Sequence, residues 1–347
     1  MMVKNLQVVN PLEISNWDDK ILNFPEYSFF HSSYWCRVIA ETYNYIPYYF
    51  IVQSNTTIKA AIPLMVVNSR LTGKRAVSLP FTDYCPPLVS KETDFSDLKN
   101  EIIEFCKGKG LKYVEIRGGN KLFNGVLPSI FDYNHSLNLS ISENELHNNL
   151  SSNTKRNIKK SIREGVIVDI SNSISALEDF YQMNCLTRKK HGLPPQPKAF
   201  FENLFKYVLS PRKGFIAIGM FNNVSIAGAI YLLMGKKAIY KFGASNMEYQ
   251  NLRANNLVMW EAIKYCKNND FESFCFGRTE PDNEGLRKFK LGWGTEEETL
   301  NIYRYDLRKD EFIKIQTKTT GIHNKIFQSA PLPLLKVFGS MAYRHFG

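Results

Sequence analysis

The chain of 347 residues carries 44 Lys and Arg against 33 Asp and Glu, a formal net charge of +11, with 44% hydrophobic residues. That length predicts two domains with a core each, and no run approaches the roughly 20 apolar residues of a membrane-spanning helix. The basic balance favours anionic partners: tRNA, nucleotide- or diphosphate-linked substrates, or an anionic membrane surface.

The N-terminal segment has no apolar stretch of secretory-signal length, so a cytoplasmic location is expected, with peripheral membrane contact left open. Cys36, Cys85, Cys106, Cys185, Cys266 and Cys275 form no CxxC, and the histidines form no HxxxH, so neither metal site nor disulfide is expected. For Cys275 a packed thiol is weighed against a nucleophile.

In chain order, a helix is predicted over 31–43, a hairpin across Asn55-Thr56-Thr57, a further strand, a helix over 93–107, and a strand ending at Arg117-Gly118-Gly119. The second half repeats this order. Helices over 174–191 and 198–210 precede a hairpin across Asn222-Asn223 and a third strand after Gly235-Lys236. A helix over 253–270, with Leu257, Trp260, Ala262, Ile263 and Tyr265 on a broad apolar face, leads to the strand 271–276. Helix, antiparallel meander, helix and strand, occurring twice, predict an α/β (α+β) fold of two similar domains, each a mixed, largely antiparallel sheet flanked by helices. The expected blocks are 1–140, 141–309 and a basic amphipathic tail, 310–347, that docks on the body or lies on a membrane.

Between the halves, Ser142 and Glu145 make a capping box, and Leu146, Leu150, Ile158 and Ile162 predict one helix ending at Gly165. On it, Arg156, Lys159, Lys160 and Arg163 form a basic stripe, suited to phosphates or simply to solvent. Further on, a Gly-Arg turn after 271–276, a short helix bearing Phe289-Lys290 and a Gly-Trp-Gly stop deliver Arg278 and Lys290 beside a strand end. Two cations there suit a phosphate or a developing oxyanion. Trp293 reads as a core residue.

The segments LSSNTKRNIKKSIREGV (150–166), MEYQNLRANNLVMWEAIKY (247–265) and FCFGRTEPDNEGLRKFKLGWG (274–294) together resemble the Fem-type aminoacyltransferases and their relatives with a GNAT-like acyltransferase domain. The third segment is most similar to a branch associated with polysaccharide export. The resemblance covers roughly 136–305 and implies two tandem GNAT-like domains with a ligand cleft. The activity it implies is transfer of an acyl or aminoacyl group to an amine of a cell-wall or surface-polysaccharide precursor. CoA-dependent N-acetylation of an amino sugar or lipid-linked glycan is an alternative, as is a non-catalytic tRNA- or membrane-binding module.

In this resemblance Phe289-Lys290 matches the family's Phe-Lys pair, and SLPFTDYCPPLV (78–89) its Asp-Tyr segment. Lys290, Asp83 and Glu280 are the expected catalytic residues. Arg278, Tyr84, Tyr240, Lys241, Asn256, Phe289, Arg156, Lys159 and Lys160 are expected to bind substrate. Asp282 and His191 are further proton acceptors to consider. No permanently bound cofactor and no metal are expected, and the acyl donor is aminoacyl-tRNA or acyl-CoA. The acceptor is an anionic, nucleotide- or diphosphate-linked envelope precursor, with tRNA and the inner membrane as further partners. Two departures bear on the donor. The family's long helical hairpin has no counterpart between Gly165 and Lys213, and 251–256 has no glycine where a GNAT cradles the CoA pyrophosphate.

Reversing the charge of two of Arg156, Lys159, Lys160 and Arg163 is expected to weaken binding of a polyanion such as tRNA and to flatten its salt dependence, as read by filter binding. Unchanged affinity across ionic strengths would return the stripe to solvent.

Overall fold

The computed structural model describes residues 6–91, 93–315 and 322–347. Strand β1 (Leu6–Val9) is followed by helices α1 (Trp17–Ile21) and α2 (Ser33–Tyr43). Strands β2 (Ile46–Ser54), β3 (Thr57–Ser69) and β4 (Gly73–Val77) make an antiparallel meander, with the short β5 (Leu88–Val89) on β3. Helix α3 (Phe95–Gly108) crosses to β6 (Tyr113–Arg117), which runs parallel to β4. Then come β7 (Ile130–Asn138), α4 (Glu143–Asn149), α5 (Ser152–Arg163), β8 (Ile167–Ser171), α6 (Ile174–Lys190) and α7 (Lys198–Leu204). A second meander follows: β9 (Gly214–Phe221), β10 (Val224–Met234) and β11 (Lys237–Ser245). Helix α8 (Ala254–Asn268) crosses to β12 (Ser273–Thr279), parallel to β11. The chain continues through α9 (Glu284–Leu291), β13 (Glu296–Asp306), β14 (Glu311–Phe312), α10 (Ile322–Ser329) and α11 (Leu332–Ala342). Among the described residues no helix is long and apolar enough to cross a membrane.

Two compact units result. The first gathers the described residues of Met1–Asp132, Thr299–Thr317 and Ala342–Gly347, the second those of Tyr133–Glu298 and Lys318–Met341. The first sheet runs β1-β2-β3-β4-β6-β13 and the second β8-β9-β10-β11-β12-β7. The scheme is the same in both: an edge strand, a meander, a helical crossover to a parallel strand, then an antiparallel partner. Both sheets are thus mixed and mostly antiparallel, with helices against them, as the doubled pattern predicts. The units follow strand pairing rather than chain order, so they differ from the blocks 1–140, 141–309 and 310–347. A crossover strand leaves a row of unpaired N–H and C=O groups that something must satisfy. In the first unit β13 does so from the far end of the chain, with Ile302 opposite Arg117 and Asp306 opposite Tyr113.

Each unit has its own core. Helix α3 sets Phe95, Leu98, Ile102 and Cys106 against Val114, Ile116 and Tyr303. Helix α8 sets Leu257, Val258, Ala262, Ile263 and Cys266 against Phe215, Ala229, Tyr231 and Phe274. Trp293 is fully buried in this second core, its ring centroid 6.1 Å from Phe276 and 6.0 Å from Phe289. Five of the six cysteines are buried and Cys275 is half-buried. Burial pushes the Cys36 and Cys106 thiols up to about 12, far from a thiolate at neutral pH.

Local signals are honoured where side chains make them. Ser142 caps α4 with the reciprocal Glu145 bond, and Asn222-Asn223 turns β9 into β10 with both residues at positive φ. The single helix predicted over 142–165 is in fact two. The Ser151 hydroxyl accepts from the Thr154 amide and opens α5 afresh, while Leu150 is extended and buried. Ile162, expected on the apolar side, is 56% exposed.

Strand β12 bulges. Cys275 lies opposite Ser136 and Arg278 opposite Asn134, so Phe276 and Gly277 together face His135, with Gly277 at φ 71. The bulge turns two carbonyls out of the ladder. The Lys290 ammonium, on a side chain only 2% exposed, donates to both, at 2.8 Å to the Gly277 oxygen and 2.8 Å to the Arg278 oxygen. Lys290→Met should leave these buried acceptors unsatisfied, at about 1–3 kcal/mol each. A fall in Tm of several degrees by calorimetry is expected, and an unchanged Tm would show the bulge does not need the ammonium.

Candidate active site

The second meander also bulges, and this shapes a cavity. Ile230 pairs with Phe242 and Tyr231 with Tyr240, leaving Lys241 as the extra residue of β11. Residues two apart on a strand normally share a face. Across the bulge they do not: Tyr240 packs with the α8 core, 5.7 Å from the Tyr231 ring, while Phe242 packs on Phe200 and Phe201. Tyr240 is thereby aimed into a cavity of about 290 Å³ whose walls include Gly228, Tyr231, Gly243, Val258, Met259 and Phe289. Its rim includes Thr187, Lys190, His191, Gln250 and Asn255.

Gly243 is required by close approach. A Cβ there would stand 1.8 Å from the Tyr240 hydroxyl. Burial pushes the Tyr240 phenol up to about 12, so at neutral pH it keeps its proton and donates. The wall contains no carboxylate; its titratable groups are Lys190, His191, Tyr231 and Tyr240. His191, exposed just past the end of α6, titrates below the usual histidine range, first through desolvation by its neighbours and then through the Lys190 and Arg188 charges. It is therefore a neutral imidazole at pH 7. The Lys190 ammonium lies 3.0 Å from the Met247 sulfur.

The turn into α8 has a left-handed residue at Arg253, φ 58, where glycine would be free of strain. The backbone turn expected to need a glycine is therefore formed with a cation in it. No side chain caps the helix, and Asn255 of the first turn reaches the cavity rim.

The residues singled out from sequence scatter relative to this cavity. Tyr240 and Phe289 line it. Lys241, as the bulged residue, is absent from its wall, and its ammonium lies 5.6 Å from the Phe242 ring centroid. Asn256 is buried in α8, and its neighbour Asn255 takes the wall position. Arg278 is half-buried at the end of β12, and the Lys290 residue is 2% exposed. Beside Lys290, buried His135 makes a 3.0 Å contact with Glu297, which Arg287 grips at 2.7 Å. Burial, then the Lys290 charge, holds His135 below its ordinary value.

Glu280 is exposed in the loop after β12, and Asp282 is also exposed there. Asp83 and Tyr84 are half-buried in the first unit, where the Ser28 hydroxyl donates to the Tyr84 carbonyl at 3.2 Å. Arg156 and Lys159 are exposed on α5 and Lys160 is half-buried, with Arg156 bonded to Asn153 at 2.7 Å. Among the described residues no cluster of three or more His, Cys, Asp or Glu side chains is arranged to hold a metal. Sequence reasoning missed Gly228, Gly243, Gln250 and Thr187. Only a glycine inside a strand hinted at two of them.

Comparison with known proteins bears on the fold and on the domain that holds this cavity. Residues 148–291 match the acetyltransferase (GNAT) domain family. A stretch of 78 residues is 35% identical to the lipid II:glycine glycyltransferase of Staphylococcus saprophyticus, covering 21% of this chain and 19% of that protein. The same enzyme of Staphylococcus haemolyticus is 31% identical over 80 residues, again 21% of this chain and 19% of that one. The match thus spans about a fifth of these relatives' length. Among solved structures, FemX aligns with a TM-score of 0.67 at 13% identity, over 86% of this chain and 96% of its own. A tandem GNAT protein from the clavulanic acid biosynthesis pathway aligns at 0.57 and 8%, over 87% and 98%. At such identities these two establish the fold.

Gly243→Ala should collide with Tyr240 at an overpacking cost of about 1–3 kcal/mol. A depressed Tm is expected, partly recovered in the Gly243→Ala, Tyr240→Phe double variant; equal melting of all three proteins would deny the contact.

Proposed function

From a chain that carries a GNAT acyltransferase domain and shares the two-unit fold of FemX, we propose an enzyme that transfers an aminoacyl group to a primary amine of a peptidoglycan or surface-polysaccharide precursor. The observation that carries this reading is the cavity of the second unit, closed at its base by Tyr231 and Met259 and presenting a protonated phenol and a neutral imidazole. Aminolysis asks for that pair. The amine nitrogen attacks the carbonyl carbon of the activated ester, and the new C–N bond forms as the carbonyl becomes an oxyanion. Tyr240 donates a hydrogen bond to the oxyanion, and His191 takes the proton the amine sheds. Collapse expels the carrier oxygen, which receives that proton. No covalent enzyme intermediate is needed, in keeping with the raised cysteine pKa values.

The donor we favour is aminoacyl-tRNA. Arg253 stands in the turn into α8, between the lining residues Gln250 and Asn255, and the Arg156–Lys159–Lys160 stripe lies on α5, which packs against α8. Both suit a polyanionic carrier. Acyl-CoA is the second reading, supported by the match to an acetyltransferase family. Lys290 we assign a positioning role: by holding the β12 bulge it sets Phe289 on the cavity wall. Asp83 and Glu280 remain proposed proton acceptors, Arg278 and Tyr84 proposed contacts to an anionic acceptor. The acceptor is met in the cytoplasm or at the membrane surface.

The test is a purified-protein assay with radiolabelled aminoacyl-tRNA or acetyl-CoA against lipid-linked and UDP-linked precursors, products being read by mass. Tyr240→Phe should lower kcat by roughly 10²-fold, the scale of one lost oxyanion donor. Because the neutral imidazole is the active form, activity should fall as pH drops through the lowered His191 value, below the ordinary ~6.5, and His191→Gln should remove that acid limb. No product from any donor, with tRNA binding retained, would leave a binding module.

A further inference from the structure

Helix α11 is apolar on two faces. One is seated on the second unit: Leu335 is buried, and Gly339 approaches Pro195 so closely that a Cβ there would come within 2.1 Å of the Pro195 carbonyl oxygen. The other face consists of Leu334, Val337, Phe338 and Met341, at i, i+3, i+4 and i+7, and these are 63%, 58%, 45% and 66% exposed. Ile326 of α10, also 58% exposed, belongs to the same helical pair, in which the Phe327 and Phe338 rings meet at 5.1 Å. Single exposed apolar side chains are common on protein surfaces. A complete helix stripe of four is not, and it marks a surface that something covers.

The charge around the stripe identifies the cover. From Phe312 to Gly347 the sequence has Lys314, Lys318, Lys325, Lys336 and Arg344, and neither Asp nor Glu. Lys325 is exposed on α10, the helix paired with α11, while Lys336, on the seated side of α11, leans over the Tyr181 ring at 5.3 Å. An apolar helix face on a segment that carries cations and no carboxylate complements an anionic lipid surface, where the apolar side chains enter the headgroup boundary and the ammonium groups meet phosphates. A second copy is a poorer complement: it would set cations against cations, and four side chains fall far short of the roughly 20–30 residues a side of a stable interface.

We propose that the outer face of α11 docks in the plane of an anionic membrane surface through Leu334, Val337, Phe338 and Met341. This docking is independent of the acyl-transfer reading, because it is measured with neither donor nor acceptor present. The experiment is flotation of the full-length protein with vesicles of phosphatidylglycerol and phosphatidylcholine, or of phosphatidylcholine alone, at low and high salt. The protein should float with the anionic vesicles, less so at high salt, and only weakly with neutral ones.

The Leu334→Gln, Phe338→Gln double variant alters exposed positions, so its Tm should match wild type while its partitioning drops at least tenfold. Lys325→Glu should weaken binding to anionic vesicles alone. If the double variant melts early, Met341→Gln is read in its place and should lower partitioning several-fold. Failure of the wild type to float, equal flotation of well-folded variants, or a wild-type dimer in sedimentation equilibrium that the double variant dissolves without any vesicle binding would each overturn the proposal.

Discussion

A backbone carbonyl inside a protein must find a donor, and the second unit has a place where the β-ladder does not supply one. At the β12 bulge the donor is the Lys290 ammonium, which bonds two carbonyls of the strand. A short helix, α9, is needed to carry that lysine, and the helix in turn brings Phe289 to the cavity. The residue that is most conspicuous as a catalytic candidate in the sequence thus also satisfies two carbonyls of the bulge.

The β11 bulge does complementary work. Inserting Lys241 splits the side chains on either side of it between two faces of the sheet: Phe242 completes an aromatic cluster with Phe200 and Phe201, and Tyr240 is released toward α8. The space that receives the phenol exists because position 243 has no Cβ. A bulge, a glycine and a buried hydroxyl thus form one device, and its chemical output is a hydrogen-bond donor that keeps its proton at neutral pH. The imidazole of His191 lines the same cavity, whose lining holds no carboxylate.

The two units share one folding plan yet differ in what that plan carries. In the first, Glu115 is buried between Arg117, at 2.9 Å, and Arg304, whose guanidinium lies 2.5 Å away; the two arginines hold its carboxyl below the usual range against the opposing effect of burial. It is a closed ion cluster, satisfied within itself. In the second unit the corresponding strand, β12, bulges, and its two freed carbonyls are met by Lys290. Duplication of a fold leaves room for one copy to consolidate and the other to bind.

The periodicity of α3, α6 and α8, the Asn-Asn and Asn-Thr turns, the Ser142 capping box and the buried place of Trp293 were all legible in the linear chain. Each is decided by residues within a few positions of one another or by apolar spacing along a single element. The same holds for the doubled helix–meander–helix–strand order that specifies the fold class. Strands β1, β7 and β8 were not legible. In β7 the inward positions include Asp132 and His135, polar residues that only a partner across the sheet, such as Glu297 for His135, makes tolerable in the interior. Nor could the linear order reveal that β13 pairs with β6, that Ser151 restarts a helix, or that Lys241 is a bulge which turns Tyr240 inward. Sequence alone determined the main helices, the two meanders and their order. Register, strand exchange and the direction of each functional side chain were decided only by tertiary structure, because they depend on which distant N–H and C=O groups satisfy one another.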